Sequence, residues 1–190
     1  MENLNFKPAQ LLVEHVELFT KGLLPGPILD LACGDCRNGI YLAKYGLPVV
    51  CCDRSPETLN RARELATDHH VNVECWEKDL ELEGGNPLPE EFYGGVLVFR
   101  YLHRPLLHCI KKSLKQGGLL VYETFTHEQP RFGKPHNPDY LLRDGELLQW
   151  FDGWEIIHYL EGIQKNPLRA VAQIVCRKQG CVKNEGKDVP

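Results

Sequence analysis

Three acidic residues lie at the ends of three successive apolar runs. Asp30 lies in the run 28–31, Asp53 follows the run 48–52, and Asp79 follows a third, alternating run. If these runs are parallel strands, their carboxyl ends meet at one edge of a sheet, where α/β proteins bind ligands. Carboxylates there can accept hydrogen bonds from ribose hydroxyls and from an adenine amino group. A single such acid could simply cap a helix, but three in succession predict a nucleoside site.

The turn after the first run narrows the choice of ligand. Gly34 allows close backbone approach, and Asp53 follows it by nineteen residues, a spacing typical of ribose recognition. A dinucleotide-binding turn would need glycines at positions 32, 34 and 37, because a pyrophosphate sits hard against the helix that follows. The chain has Ala32 and Arg37 instead. The turn therefore predicts a nucleoside cofactor without phosphates.

Alternating strand and helix patterns place these motifs in an α/β fold. The predicted strands are 28–31, 48–52, 71–76, 95–99, 119–122, 154–160 and 170–176. The predicted helices are 8–21, 38–45, 56–66, 105–114 and 141–151, with Ser55 as a cap before the third of them. We expect a Rossmann-like, open, mostly parallel seven-stranded sheet with helices on both faces. The last two strands should form a C-terminal antiparallel hairpin.

Length and composition predict one soluble domain. The chain has 190 residues and a formal net charge of -4, which gives no electrostatic reason to expect nucleic acid or an anionic membrane as a direct partner. No apolar run approaches the roughly 20 residues that span a bilayer. Residues 1–178 should form the domain and 179–190 a disordered tail. With a polar N-terminus and no secretory signal, we expect a cytoplasmic monomer.

The eight cysteines are expected to be reduced thiols. Cys33 and Cys36 have the spacing of a redox or metal motif, but no second pair stands at zinc-finger spacing, so we expect no metal. Two small residues suit a tight turn. Cys51 and Cys52 fit small core side chains.

As a set, these motifs resemble those of the class I S-adenosylmethionine-dependent methyltransferases. Residues 30–35 resemble the family's first motif, Asp53 its second-strand acid, residues 78–80 its third motif and residues 114–119 the turn before its fifth strand. The resemblance covers about residues 8–178. It is closest to small single-domain members such as the tellurite-resistance and thiol methyltransferases, to which the segments after the fourth and fifth strands are similar. Cys36 stands where the family often has a third glycine.

The resemblance implies S-adenosylmethionine as cofactor, held at the ends of four strands. The methionine part would lie near the first turn and the helix after it, at Asp30, Ala32, Cys33, Gly34 and Asn38. The adenosine part would contact the second and third strand ends, at Asp53, Arg54, Asp79 and Leu80. The end of the fourth strand would border the methyl group, through Phe99, Arg100 and Tyr101.

Methyl transfer from a sulfonium is an in-line displacement that needs a positioned nucleophile and, where the nucleophile carries a proton, a base. His103 is the candidate base, because imidazole titrates near neutral pH. A helix-capping or packing role is its alternative. Tyr101 would shape the site. Arg100, Arg104 or Arg131 could bind an anionic group of the acceptor, although such arginines are often only solvated.

The segment 124–138 holds no periodic pattern and predicts a long loop over the substrate. Its polar and aromatic candidates for substrate contact are His127, Gln129, Phe132 and Asn137. Each of them could equally be solvated.

The segment after the fourth strand, 100–103, bears on the acceptor. It lacks the Asn/Asp-Pro-Pro-Tyr/Phe sequence that enzymes of this class acting on amide or base nitrogens usually carry there. We therefore expect a small acceptor, a thiol or a chalcogen. A protein or RNA methyltransferase acting with a partner and a catalytically silent S-adenosylmethionine-binding module stay open as alternatives.

Overall fold

The protein is represented by a computed structural model, which describes residues 7–22, 24–82 and 86–180. Its centre is one seven-stranded sheet. The strands are β1 (Ile28–Leu31), β2 (Val49–Asp53), β3 (Glu74–Glu77), β4 (Tyr93–Phe99), β5 (Leu114–Phe125), β6 (Glu155–Lys165) and β7 (Leu168–Arg177). Their order is β3-β2-β1-β4-β5-β7-β6. The first five strands run parallel and β7 is antiparallel to both its neighbours, which confirms the predicted fold.

Helices cover both faces of the sheet. They are α1 (Gln10–Glu14), α2 (Glu17–Thr20), α3 (Arg37–Ala43), α4 (Pro56–Asp68), α5 (Leu107–Ser113) and α6 (Glu146–Trp150). The first four pack on one face and the last two on the other. Since both faces are covered, all four residues of β1 are buried. None of the helices that the structure describes is long and apolar enough to cross a membrane.

Two predicted helices differ from the structure. The helix expected over 8–21 is two short helices, because His15 leaves helical geometry at a φ of -116°. The helix expected over 141–151 begins only at Glu146, after Gly145 in the left-handed conformation. Leu142 is instead extended and hydrogen-bonds to the end of β5, where its N–H donates to Phe125 O (2.9 Å). Pairing with the strand therefore overrides the helical periodicity of this segment.

Other element ends are shifted or confirmed. The Ser55 cap is confirmed, because its hydroxyl accepts a hydrogen bond from the Thr58 N–H (3.2 Å). β5 starts at Leu114, before the predicted strand start at 119, and includes Gly117 at a φ of +76°. Of the predicted tail, residues 181–190 lie outside the described residues.

The expectation that all cysteines are free thiols is wrong for one pair. Cys36 and Cys51 form a disulfide with a Cα–Cα distance of 5.9 Å, which lies in the usual range for such bonds. Cys36 stands at the start of α3 and Cys51 in β2, two elements that pack together. The free cysteines of the described residues are Cys33, Cys52, Cys75, Cys109 and Cys176.

A buried ion pair fixes the hairpin against the end of β5. Glu123 is 2% exposed, and its Oε1 lies 2.9 Å from Nη1 of Arg169. The Gln173 amide donates to the other oxygen of the same carboxylate. The carboxylate is thus compensated on both oxygens, as a buried charge requires.

Replacing Arg169 with Met should destabilise the fold by about 3–5 kcal/mol, because it leaves Glu123 buried without a cation. The free energy of urea-induced unfolding measures this. Arg61→Met is the matched control, since its partner Glu57 is exposed and such pairs contribute about 0–1 kcal/mol. Equal stability losses in the two variants would contradict the importance of the buried pair.

Candidate functional site

A cavity of about 660 Å³ opens at the carboxyl ends of the parallel strands, within the size range of small-molecule sites. Most of its lining comes from the segments that follow β1 to β5. Those residues are Ala32, Asp53, Arg54, Lys78, Asp79, Leu80, Glu81, Arg100, Tyr101, Leu102 and Phe125. The segment after β5 adds Lys134, Pro135 and Tyr140. The cavity therefore lies where the strand-end acids predicted a ligand.

The turn after β1 is shaped by three left-handed residues. Ala32, Gly34 and Cys36 have φ values of 52°, 58° and 56°. Only glycine adopts this region without penalty, and a Cβ built on Gly34 would meet no atom within 4 Å. The Cys33 N–H donates to Cys52 O (3.0 Å), so the turn is fastened to the end of β2. The left-handed φ, rather than a lack of space for a side chain, therefore favours glycine at position 34.

Asp53 joins the turn to the next helix. Its Oδ2 accepts the Gly34 N–H and its Oδ1 accepts the Ser55 N–H, both at 2.9 Å. A carboxylate oxygen has a second lone pair, so each oxygen can still accept a ligand hydroxyl. These two amides orient the carboxylate at the cavity wall.

The third strand end forms the adjoining wall. The Lys78 N–H donates to Asp53 O (3.0 Å), which sets the segment 78–80 beside β2. Asp79 Oδ1 accepts the Glu81 N–H (2.9 Å), and its other oxygen is available to an amino group. Leu80 is buried and supplies an apolar surface beside it. This wall therefore combines a carboxylate with an apolar side chain.

The fourth strand ends in a left-handed residue, Arg100, at a φ of 57°. Its N–H donates to Glu123 O (2.8 Å), so the chain turns sharply there and presents Tyr101 to the cavity. The Tyr101 hydroxyl is buried. Burial raises the pKa of this phenol above its ordinary value, and the neighbouring Glu81 carboxylate raises it further.

Six predicted site residues do not line the cavity. They are Asp30, Cys33, Gly34, Asn38, Phe99 and His103. Asp30 accepts the Gly39 N–H (2.8 Å) and Asn38 Oδ1 accepts the Ala9 N–H (2.8 Å), so these two side chains hold α3 and the N-terminal segment. His103 precedes a single 3-10 turn, Arg104–Leu106, and its carbonyl accepts the Leu106 N–H. Their roles in binding and catalysis stay predictions.

The segment after β5 borders the cavity, although not through the residues expected to do so. Lys134, Pro135, Phe125 and Tyr140 line the cavity, whereas His127, Phe132 and Asn137 do not. Gln129 is buried inside the segment and anchors it. Its Nε2 donates to Lys134 O (3.0 Å) and its Oε1 accepts the Ala170 N–H (2.9 Å). No local signal marked Lys134, because its place depends on this anchor to β7. The same holds for Tyr140, because Arg104 holds the carbonyls on either side of it, those of Asp139 and Leu141.

Two of the three arginines considered for an anionic group have protein partners instead. Arg104 forms a two-pronged salt bridge with Glu146 (2.7 and 2.8 Å) and donates to the carbonyls of Asp139 and Leu141. It therefore holds the segment after β5 against α6. Arg131 pairs with Glu128 (2.6 Å). Arg100 lines the cavity, as do Lys78 and Lys134.

Known proteins are similar to this chain in sequence and in fold. A protein-family model described as "Methyltransferase domain" matches residues 28–118. The probable S-adenosyl-L-methionine-dependent methyltransferase TehB of Haemophilus influenzae is 26% identical over 75% of this chain and 51% of its own length. A ubiquinone biosynthesis O-methyltransferase of Erwinia tasmaniensis is 24% identical over 86% of this chain and 76% of its own length. A tRNA 5-carboxymethoxyuridine methyltransferase of Escherichia coli is 23% identical over 68% of this chain and 60% of its own length.

The solved structure of TehB from Haemophilus influenzae has the same fold. It superposes with a TM-score of 0.63 at 18% identity, over 87% of this chain and 62% of that one. The present chain spans about half the length of the TehB sequences that it matches.

Asp30 should make stability depend on pH. Burial raises the pKa of this carboxyl from 3.8 to about 7, while the Gly39 N–H opposes the shift. Between pH 4 and pH 7 the folded state therefore keeps a proton that the unfolded state has released. The contribution of Asp30 to the free energy of unfolding is present in full below pH 4 and is lost as the pH rises towards 7. The loss amounts to about 4 kcal/mol at most.

Urea unfolding of the wild type and Asp30→Asn, each at pH 5 and pH 8, measures this contribution. The wild type should lose more stability than the variant between the two pH values, because an amide does not ionise. Identical pH dependence in the two proteins would show that Asp30 ionises in the fold without penalty.

Proposed function

We propose that this chain, which carries a class I S-adenosylmethionine-dependent methyltransferase domain, transfers a methyl group to a small-molecule nucleophile. The observation that carries the proposal is the Asp53 carboxylate, held at the cavity wall by the Gly34 and Ser55 amides. When bound, S-adenosylmethionine supplies an electrophilic methyl group on a sulfonium. A thiol or chalcogen acceptor is our first choice.

The cofactor would be held by residues of four strand ends. Asp53 would accept both ribose hydroxyls. Asp79 and Leu80 would contact the adenine, with Arg54 beside it. The methionine part would lie at the turn formed by Ala32, Cys33 and Gly34, which Asp30 and Asn38 support through their hydrogen bonds to the backbone. Phe99, Arg100 and Tyr101 would border the methyl group.

The other half of the cavity suits a small acceptor. Leu102, Phe125, Pro135 and Tyr140 give it apolar and aromatic walls, which would help to exclude water from the reacting atoms once the ligands are bound. A total volume of about 660 Å³ leaves limited room beside a nucleoside cofactor. The names of the relatives include both small molecules and tRNA, so the acceptor must be determined directly.

The chain's main contribution to rate would be positioning. The leaving group departs as a neutral thioether and needs no acid, so orientation of the nucleophile and exclusion of water dominate. Tyr101 would shape the wall beside the methyl group. His103, two residues along the same segment, would take the proton of a thiol acceptor.

Substituting Asp53 with Ala should weaken binding of S-adenosylhomocysteine by about 1–3 kcal/mol, because hydrogen bonds to the ribose are lost. Isothermal titration calorimetry measures this affinity. Asp68→Ala removes an exposed carboxylate at the end of α4 and should bind like the wild type. Unchanged affinity in Asp53→Ala would refute the ribose assignment.

A methylation screen with thiol, selenide, tellurite, RNA and protein acceptors tests the acceptor class. Turnover on a small acceptor without a partner supports the proposal. Turnover only on a macromolecule, or cofactor binding with no turnover, refutes it. On a thiol, His103→Gln should lower kcat by about 10²-fold or more and alter its pH profile, and an unaltered profile would exclude His103 as the base.

Deleting residues 128–136 should abolish turnover but leave S-adenosylhomocysteine affinity within about threefold of the wild type, since the cofactor contacts lie elsewhere. The deletion removes Lys134 and Pro135 from the acceptor side of the cavity. Arg131→Ala is the control, because Arg131 is exposed and outside the cavity, and it should turn over normally. Normal turnover by the deletion would rule out a role for this segment in the reaction.

A further inference from the structure

Three cysteines form a cluster directly behind the turn after β1. The Sγ atoms of Cys33, Cys36 and Cys51 all lie within 4.8 Å of one another. Cys36 and Cys51 are joined as a disulfide and are fully buried. Cys33 is a free thiol and only half-buried. The cluster thus places a free, half-buried cysteine beside a disulfide between two fully buried residues.

The disulfide connects the two segments that build the cofactor wall. Cys36 ends the turn and begins α3, while Cys51 lies in β2 two residues before Asp53. Two hydrogen bonds already join these segments, from Cys33 N–H to Cys52 O and from Gly34 N–H to Asp53 Oδ2. The covalent bond is a third link between the turn and the strand that carries the ribose acid.

We propose that Cys33, Cys36 and Cys51 form a thiol–disulfide exchange site for low-molecular-weight thiols, and that its redox state sets the affinity of the cofactor site. The effect on affinity rests on the function proposed above. The exchange itself concerns only the three cysteines and does not depend on it.

The first step is internal, because an external thiol cannot reach the buried bond. The Cys33 thiolate, having released its proton to solvent, attacks Cys36 Sγ. A Cys33–Cys36 bond forms, the Cys36–Cys51 bond breaks, and Cys51 leaves with the electron pair and takes up a proton. The disulfide now includes a half-exposed sulfur, which matches the Cys-x-x-Cys spacing of this segment.

Two small thiols complete the reduction. The first attacks Cys33 Sγ, which forms a mixed disulfide and releases Cys36 as a thiol. The second attacks the small-molecule sulfur, which releases Cys33 as a thiol and leaves a small-molecule disulfide. The protein gains two electrons and two protons, and the two small thiols lose them. The released Cys36 thiol lies 3.6 Å from Asp30 Oδ2, to which it can donate.

Reduction should loosen the turn. Ala32 and Cys36 both hold left-handed backbone, which side chains with a Cβ rarely adopt unless their surroundings impose it. Freed from Cys51, Cys36 loses one of the constraints that hold it there. A less organised turn binds a ligand more weakly, because binding must then order it.

The first test follows reduction by glutathione, with alkylation and mass spectrometry counting free thiols. Cys33→Ser should reduce at least about tenfold more slowly than the wild type. Cys109→Ser, which replaces a half-buried thiol on α5, should match the wild type. The wild-type rate should rise with pH, because burial and the charges of Asp30 and Asp53 raise the pKa of the Cys33 thiol. A melting curve of Cys33→Ser confirms that it folds.

Several results would overturn the exchange site. One is an equal reduction rate in the wild type and Cys33→Ser. Another is a purified protein whose Cys36 and Cys51 stay free in the presence of glutathione disulfide. A third is a zinc ion held by the three thiols in place of the disulfide.

The second test measures S-adenosylhomocysteine affinity by calorimetry in both redox states. Reduction of the wild type should weaken binding by about tenfold. Cys51→Ser should bind like the reduced wild type and should not respond to reductant. Equal affinity of the oxidised and reduced wild type would contradict the redox control of cofactor affinity, but not the exchange reaction. Absence of binding in both states would instead refute the proposed function.

Discussion

The hydrogen bonds of the Asp53 carboxylate are the interaction on which the site depends. One side chain joins the turn after β1, through Gly34, to the start of α4, through Ser55. The same acid stands at the cavity with acceptor capacity left over. Asp53 therefore connects the left-handed turn and the helix start, and it also forms part of the cavity wall.

Other buried polar groups extend this arrangement outward. Asp30 holds the start of α3 through Gly39, and Arg104 holds the segment after β5 against α6. Gln129 then ties that segment to β7, and Glu123 with Arg169 ties β7 to β5. Each pairing spans elements that are distant in sequence. The part of the cavity lined by the segment after β5 is consequently built by long-range contacts, whereas the part at Ala32, Asp53 and Asp79 is built by short turns at strand ends.

This difference explains what the sequence could predict. Strand ends and their acids could be located from apolar runs and spacing, because Gly34 and Asp53 act through local turns on neighbouring strands. The Ser55 cap could be predicted for the same reason. The partners of Arg104 and Gln129 lie about forty residues away and leave no local signal. The helix expected from 141 is shortened by pairing with β5, and the Cys36–Cys51 bond depends on how α3 packs on β2.

A crystal structure with S-adenosylhomocysteine tests the central claim most directly. We expect both ribose hydroxyls within about 3 Å of the Asp53 oxygens, the adenine against Leu80, and the sulfur facing Tyr101 and the part of the cavity formed by Phe125 and Tyr140. A ribose bound away from Asp53, or a ligand outside this cavity, would contradict it.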